Sequence, residues 1–448
     1  MRRGAGIGLG LALAGALAGS PARAGDPFLR HTVTVDVVQR VGPAVVSITT
    51  EQAVSRASPF QPFGGDPFFD RFFQDFFEPR RSQTARNLGS GVVIDAERHV
   101  LTNAHVVARA SRIRVATADG REFDATLVGA DPNNDLAVLR VDTDEKLPWI
   151  PLGDSADLMV GEPVIAIGNP FGLSHTVTTG VVSALDRSIR SETRVFHGFL
   201  QTDASINPGN SGGPLLDATG ELIAINAAVY GGAEGIGFAI PIDVAARVVA
   251  QLIEHGALVP VWVGLDLQPL DEGLQELMEL HRGVQGALVN RVRDASPAQR
   301  AGVRRGDIVT RLDGHAVGEP RAFFEMLAAV TPGQPLALGL LREGKALDLR
   351  VRAEEAPAAL PETLLREKLG LALRRAPAGG FEVVSVRAGS GAARIGLRPG
   401  DRVLGINGRP LEGEEALRRA ALDLEGLAGA LVVVQRGPGR YHVTIPFA

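Results

Sequence analysis

The sequence predicts a mainly β protein, and three features of the chain support that prediction. Short β-branched runs separated by Gly, Asp and Pro fill residues 30–250, at 44–50, 91–94, 112–117, 125–129, 136–141, 163–167, 177–184 and 222–226. No helical pattern of twelve residues lies between them, which favours antiparallel barrels or a sandwich over a βαβ array. The 448 residues include 54 Gly and 28 Pro, as expected of a turn-rich chain. Finally, two C-terminal segments repeat each other at a constant offset.

The first 24 residues have the pattern of a secretory signal peptide. Arg2 and Arg3 precede eleven apolar residues at 7–17, and an Ala-Arg-Ala cleavage pattern follows at 22–24. A membrane-spanning helix needs about 20 apolar residues, so this run is too short to serve as an anchor. We therefore expect export, cleavage after residue 24, and no integral membrane segment in the mature chain.

Composition excludes several classes of function. Lys and Arg number 46 and Asp and Glu 51, for a net charge of −5, which argues against a nucleic-acid-binding protein. The absence of cysteine excludes disulfides, thiolate metal sites and a cysteine nucleophile. One of the nine histidines belongs to a motif described below, and the others lack paired metal-ligand spacing. We expect neither a metal nor a cofactor.

The strand-rich region and a helix predicted at 241–253 form a first domain, which we place at residues 25–258. A Phe-rich insertion at about 51–88 interrupts it and holds eight of the 18 phenylalanines. Three Phe-Phe pairs recur every four residues and would form one apolar stripe on a helix. The insertion is either a functional element, a helix packed on its own domain, or disordered. The pairs are Phe68-Phe69, Phe72-Phe73 and Phe76-Phe77.

The repeat predicts two small tandem domains after the first. Residues 296–309 recur as 390–403, an offset of 94, and each copy predicts a strand, a short helix, a Gly-Asp turn, a second strand and a tight hairpin. Two copies of this length are too few for a solenoid. We place the first repeat at 259–355 and the second repeat at 363–448, joined by a Pro/Ala-rich linker at 356–362.

Three short motifs contain the side chains needed for acyl transfer. Thr-Asn-Ala-His-Val at 102–106 follows a predicted strand, Asn-Asn-Asp at 133–135 precedes one, and Gly-Asn-Ser-Gly-Gly-Pro-Leu at 209–215 lies in a loop before another. Peptide hydrolysis needs a serine oxygen, an imidazole to accept its proton, and a carboxylate to orient the imidazole. Glycines beside Ser211 would let backbone amides turn towards a developing oxyanion. Each residue alone has a structural explanation, but their conjunction in the order His105, Asp135, Ser211 is that of a chymotrypsin-type site.

Together, the three motifs, the insertion and the twin repeats resemble the HtrA (Deg) family, in its periplasmic branch of Do-like proteases with two PDZ domains. The resemblance covers nearly the whole mature chain and implies a chymotrypsin-like double β-barrel followed by two PDZ domains. It implies that His105 is the general base, that Asp135 orients it, and that Ser211 is the nucleophile. The amides of Gly209, Asn210 and Ser211 would form the oxyanion hole.

Substrate selection can be predicted from the residues around these motifs. Ser205, six residues before Ser211, stands where trypsin-like enzymes carry an acid, so a basic side chain would be buried without a partner. A small, apolar pocket favours Val, Ile, Leu or Ala before the cleaved bond. We assign the pocket to Ser205, Ile206, Asn226, Ala227 and Ala228.

An apolar-Gly-apolar loop in each repeat is typical of PDZ domains, which hold a peptide C-terminus in backbone amides and add the peptide to a sheet edge. The second loop has the alternative of being only a spacer or docking surface. The residues are Val263, Gly264 and Leu265 in the first repeat and Leu369, Gly370 and Leu371 in the second.

These features predict an ATP-independent serine endopeptidase that degrades misfolded exported proteins in the periplasm and binds their C-terminal peptides. Two alternatives are a chaperone with minor proteolysis and a PDZ scaffold with a degenerate barrel. The family resemblance further implies homotrimers and higher oligomers, in which the Phe-rich insertion reaches the active-site loops of another subunit.

Overall fold

The computed structural model describes residues 30–53, 84–108, 110–170, 175–190, 195–207, 209–229, 235–281, 283–377 and 379–447. The predicted signal peptide and the six paired phenylalanines lie outside these residues. Among the described residues, no helix is long and apolar enough to cross a membrane.

The first part of the chain folds into two closed six-stranded antiparallel barrels. In the N-terminal barrel the strand order is β1-β2-β3-β6-β5-β4, and in the C-terminal barrel it is β10-β11-β12-β9-β8-β7. The N-terminal barrel follows helix α1 (Val33–Val41) and a 3₁₀ turn (Gly42–Ala44) and contains β1 (Val45–Ala53), β2 (Thr84–Val93), β3 (His99–Thr102), α2 (Ala104–Val107), β4 (Arg112–Ala116), β5 (Glu122–Asp131) and β6 (Leu136–Val141). The C-terminal barrel contains β7 (Pro163–Gly168), β8 (Thr176–Arg190), β9 (Val195–Thr202), β10 (Pro214–Asp217), β11 (Leu222–Val229) and β12 (Gly237–Pro241).

One apolar cluster joins the barrels, because buried side chains from facing walls of both contribute to it, among them Leu101, Leu136, Ile167 and Phe199. Helix α3 (Ile242–His255) packs five buried apolar residues against this cluster and ends at Gly256, whose left-handed backbone donates to Leu252 O at 2.9 Å. This common core fixes the cleft between the barrels.

Both ends of the segment predicted as the Phe-rich insertion belong to a continuous hairpin, since residues 51–53 lie in β1 and residues 84–88 lie in β2. The β1–β2 ladder runs without a register shift from Val45 paired with Val92 to Ala53 paired with Thr84. The residues between positions 53 and 84 are therefore connected to the barrel at two paired residues, Ala53 and Thr84.

The repeats form two separate sheets of equivalent topology. Their orders are β14-β15-β16-β18-β19 and β21-β22-β23-β25-β26, and each has its own apolar core. The first repeat contains β13 (Val261–Trp262), β14 (Leu265–Pro269), α4 (Glu272–Leu277), β15 (Ala287–Val292), α5 (Pro297–Arg300), β16 (Ile308–Leu312), β17 (His315–Ala316), α6 (Pro320–Leu327), β18 (Pro335–Arg342), β19 (Lys345–Arg352) and β20 (Glu354–Glu355). The second contains a π-helical turn (Leu365–Leu369), β21 (Leu371–Arg375), β22 (Phe381–Val386), α8 (Gly391–Arg394), β23 (Arg402–Ile406), β24 (Arg409–Pro410), α9 (Glu414–Leu422), β25 (Gly429–Arg436) and β26 (Gly439–Pro446).

Equivalent residues stabilise the two repeats. Ser296 and Ser390 cap the short predicted helices by accepting from the backbone three residues later. In the first repeat, the buried Asp307 carboxylate accepts from Arg342 at 2.6 and 2.7 Å. In the second, Asp401 accepts from Arg436 at 2.6 Å twice. The 94-residue offset thus describes a repeated network as well as a repeated sequence.

The segment predicted to be a linker has more regular structure than its composition indicates. Helix α7 (Leu360–Leu364) occupies its end, and Ala356 N donates to Pro260 O at 2.9 Å. Trp262 packs against Ala356, Leu360 and Leu364. The connection between the repeats is therefore packed against the first repeat.

Candidate active site

His105 and Asp135 meet because they follow and precede paired strands. Thr102, the last residue of β3, lies opposite Ala137 in β6, so the two adjoining loops share one barrel edge. Asp135 Oδ1 accepts from the backbone N of His105 at 3.0 Å, and His105 Nδ1 lies 2.7 Å from Asp135 Oδ2. The two side chains are 6% and 3% exposed, respectively. This contact fixes the plane of the imidazole and directs Nε2 away from the carboxylate.

Asp135 is held in a constrained backbone conformation. Its φ is +53°, in the left-handed region that non-Gly residues rarely adopt. Asn103 Nδ2 donates to Asp135 O at 3.0 Å, and Asp131 closes the preceding turn by accepting from the backbone of Asn133 and Asn134, at 3.1 Å each. The carboxylate is thus positioned by a neighbouring loop and a side-chain-stabilised turn.

Ser211 lies in a tight loop of the C-terminal barrel, between two glycines with positive φ, Gly209 at +103° and Gly212 at +83°. A Cβ on Gly212 would lie 2.2 Å from Ser90 O, so only glycine fits there. Ser211 is fully buried, and its hydroxyl donates to Ala227 O at 3.1 Å. Its single hydroxyl proton is therefore directed at Ala227, so a role as nucleophile would require the side chain to rotate towards His105.

The structure changes one prediction for the oxyanion hole. The amide of Asn210 donates to Asn207 O at 2.9 Å, so this N–H is used within the loop. A peptide amide has one hydrogen, and Asn210 cannot offer it to an oxyanion in this arrangement. The candidate donors are reduced to the amides of Gly209 and Ser211.

The predicted pocket residues differ in exposure and in contacts. Ser205 is exposed, and its carbonyl accepts from Thr178 Oγ1 at 2.9 Å. Ile206 is buried in the C-terminal barrel beside Gly237, where a Cβ would approach Ile206 Cγ1 to 2.7 Å. Asn226 is fully buried and donates to Pro214 O at 3.0 Å, so its side chain braces β10 against β11. Ala227 supplies the carbonyl bound by Ser211, and Ala228 follows it in β11.

The predicted peptide-binding loops have the same backbone form in both repeats. Gly264 and Gly370 have φ of +84° and +75°, and a Cβ on either would lie 2.1 to 2.2 Å from the Cβ of the capping Ser296 or Ser390. Their carbonyls accept from Arg293 N at 2.9 Å and from Arg387 N at 2.8 Å. The strands that follow, β14 and β21, are edge strands and can each accept an added strand.

Comparison with known proteins agrees with this geometry. Residues 89–225 match the family described as trypsin-like peptidase domain, and residues 262–352 and 382–422 each match a family described as PDZ domain. The chain is 38% identical over 442 residues to a protein of Halomonas elongata named "Probable periplasmic serine endoprotease DegP-like", with 92% of each chain covered. The chain belongs to the HtrA (Deg) family.

Two further HtrA relatives support the assignment. A protein of Hahella chejuensis with the same name is 39% identical over 403 residues, covering 84% of this chain and 85% of its own. A variant of the HtrA-type protease AlgW, solved with a decapeptide, aligns with a TM-score of 0.50 and 39% identity, covering 72% of this chain and 98% of its own. This HtrA protein is a serine endopeptidase with two PDZ domains, so the predicted fold class and enzyme class are confirmed.

In this HtrA protein the first PDZ domain, which is the first repeat, contacts the protease barrels beside Asp135. Asn133 Nδ2 donates to Ala328 O at 3.1 Å, and Asn134 Nδ2 donates to Ala329 O at 3.0 Å, just after α6. On another face, the imidazoles of His197 in β9 and His315 in β17 lie in contact, with ring centroids 4.3 Å apart and the ring planes tilted by 42°. The sequence did not predict these contacts, because they join residues more than 100 positions apart.

Sequence reasoning also missed the polar residues that hold the loops of the predicted triad. Asn103, Asp131 and Ser90 are buried, and each bonds to a loop that carries a triad member. Asn103 is part of the Thr-Asn-Ala-His-Val motif, which was the one available signal. Ser90 stands in a Gly-Ser-Gly segment with no spacing relation to Ser211.

Proposed function

We propose that Ser211, His105 and Asp135 form the catalytic triad of this endopeptidase. The observation that carries the proposal is the double contact of Asp135 with the backbone N–H and Nδ1 of His105. A carboxylate held this way keeps the proton on Nδ1 and leaves Nε2 as a base. Ser211 lies in a loop of the other barrel, and Ser90 connects this loop to Thr102, three residues before His105, which supports its assignment as the nucleophile.

The mechanism follows from these positions. After Ser211 rotates from Ala227 O, His105 Nε2 takes the hydroxyl proton as Oγ attacks the scissile carbonyl carbon. The amides of Gly209 and Ser211 stabilise the oxyanion. Collapse breaks the C–N bond while His105 gives its proton to the leaving amine, and water then hydrolyses the acyl-enzyme by the same route.

Substrate choice follows from the absence of an acidic side chain at Ser205 and the small side chains at 227 and 228. A buried basic side chain would lack a partner there, so cleavage is directed after Val, Ile, Leu or Ala. Such residues lie inside folded proteins and become accessible when a client unfolds. Unfolded exported proteins are therefore the proposed substrates, in the periplasm named for the curated relatives.

The PDZ domains supply the second contact with a client. The amides of residues 263–265 would receive a peptide C-terminal carboxylate while the peptide extends along β14. Residues 369–371 would do the same beside β21. The AlgW variant was solved with a decapeptide, which supports peptide binding by an HtrA-type protease. Trimers and larger assemblies are the proposed working form.

Casein degradation tests the catalytic assignment directly. Ser211→Ala and His105→Ala should each abolish cleavage, and the double variant should be little worse than either, because the residues act as one unit. Suppression of client aggregation by the same variants separates proteolysis from a chaperone role. If Ser211→Ala degrades casein at the wild-type rate, the proposed triad is wrong.

A further inference from the structure

Ser90 connects the two barrels at the catalytic loop. It lies in β2 of the N-terminal barrel and is fully buried. Its backbone N donates to Ser211 O at 2.8 Å, and its hydroxyl donates to Gly209 O. One residue of one barrel therefore holds two carbonyls of the nucleophile loop in the other.

The Ser90 hydroxyl is fully used. Its one proton goes to Gly209 O, and its oxygen accepts from the backbone N of Asn169, just after β7, at 2.7 Å. The Ser90 carbonyl in turn accepts from Thr102 Oγ1 at 2.7 Å, three residues before His105. Ser90 therefore joins three segments: the strand before His105, the turn after β7, and the loop that carries Ser211.

The bond to Gly209 controls the direction of neighbouring amides. A peptide unit is planar, so the carbonyl of Gly209 and the N–H of Asn210 belong to one rigid plane. Ser90 holds one end of that plane, and Asn207 O holds the other by accepting from Asn210 N at 2.9 Å. Because glycine permits many backbone conformations, Gly209 would otherwise allow this plane to rotate.

We propose that Ser90 is a positioning residue for the oxyanion hole. By fixing the 209–210 peptide plane and the Ser211 carbonyl, it limits rotation of the two adjoining peptide units, which carry the Gly209 and Ser211 amides. It touches neither substrate nor the reacting atoms and acts through the loop. This inference rests on the proposed catalytic role of Ser211.

Ser90→Ala removes the hydroxyl, and Ser47→Ala is its matched control. Ser47 is also buried, lies directly opposite Ser90 in the β1–β2 ladder, and makes no hydrogen bond to residues 209–211. The assay measures kcat and KM on a small chromogenic peptide ending in valine. It also measures affinity for a matching peptide boronic acid, whose tetrahedral adduct with Ser211 places an oxygen in the oxyanion hole.

Loss of one direct oxyanion donor costs about 10²–10³ in kcat, so displacement of the loop should cost roughly 10- to 100-fold. We expect kcat and boronate affinity to fall together for Ser90→Ala, with KM changed by less than about twofold, as for an interaction made in the transition state. Ser47→Ala should match the wild type.

Three results would overturn the inference: a change in KM alone, a fall in kcat with unchanged boronate affinity, or an equal loss in Ser47→Ala. If circular dichroism shows that Ser90→Ala does not fold, Ser90→Cys carries the same test, because a thiol is a poor donor. A fourth such result, wild-type kcat in a folded Ser90 variant, would overturn this inference and leave the proposed triad intact. Activity retained by Ser211→Ala defeats the proposed triad.

Discussion

Asp135→Asn tests the orientation of the catalytic imidazole. The carboxylate uses one oxygen for His105 N and the other for Nδ1. An Asn side chain keeps one oxygen, and if this stays on the backbone N–H, its NH₂ group faces Nδ1. Nδ1 must then act as acceptor, which places the proton on Nε2, where it cannot accept one from Ser211.

The expected loss is about 10⁴ in kcat, equivalent to about 5.5 kcal/mol in the activation free energy, with little change in KM. Since the amide is nearly isosteric, the melting temperature should change far less than it would for Asp135→Ala. Steady-state hydrolysis of an internally quenched peptide measures the first effect, and thermal unfolding measures the second.

The same barrel provides a matched control. Asp95 makes the same double contact with His99, accepting from its backbone N at 3.0 Å and lying 2.6 Å from its Nδ1. Because His99 is not part of the proposed triad, Asp95→Asn should leave kcat unchanged. The reasoning is refuted if Asp135→Asn retains more than about a tenth of wild-type kcat, or if both variants lose activity equally.

Three further predictions concern regulation and assembly. A peptide with a free C-terminal carboxylate should activate cleavage more than its carboxamide form, because the amides of residues 263–265 receive a charge; equal activation would contradict carboxylate capture. Burial, aided by the nearby charge of His315, lowers the pKa of His197 from 6.5 to about 4, whereas Asp186 opposes the shift. When the first PDZ domain moves away from the barrel, His197 returns to its ordinary pKa, so this undocked form binds more protons between pH 4 and 6.5 than the docked form does. The contact between β9 and β17 should therefore be intact above pH 6.5 and weaken as the pH falls towards 4. Fluorescence transfer between single labels on barrel and PDZ domain measures this, and a His197→Phe variant with the same pH dependence would refute it. Deletion of residues 59–79 should shift the resting assembly towards trimers and change basal peptidase activity in sizing and cleavage assays, whereas unchanged size and activity would show that the insertion has no role in assembly.

Local patterns in the sequence predicted part of the framework around the proposed triad, although the predicted runs did not include β3 or β10. The strand at 136–141 has the predicted bounds, and the helix expected at 241–253 spans Ile242–His255. The three motifs lie at the strand ends where they were expected. These features depend on residues close in sequence, where apolar periodicity and turn residues are informative.

Features that depend on distant partners could not be predicted in this way. Strand β8 continues to Arg190, past the expected end at residue 184. The sequence did not predict this extension because repeated register shifts against β9 break the alternation of apolar residues along the strand. The regular structure after Ala356 depends on packing against Trp262, nearly 100 residues earlier. Ser90 finds its acceptor in Gly209, 119 residues later. No local pattern encodes such pairs.

The repeated contacts between Asp307 and Arg342, and between Asp401 and Arg436, separate folding from recognition in the PDZ domains. Both contacts, like the two apolar cores, are complete within one copy. Neither ion pair involves residues 263–265 or 369–371, although the buried side chains at 263, 265, 369 and 371 belong to the apolar cores. Changes at the less buried positions of each edge strand, such as Gln268 and Arg374, could therefore alter the preference of one copy for peptide ends while the ion pair and the core stayed the same. If both loops bind peptides as proposed, one chain would carry two binding sites whose preferences can change independently.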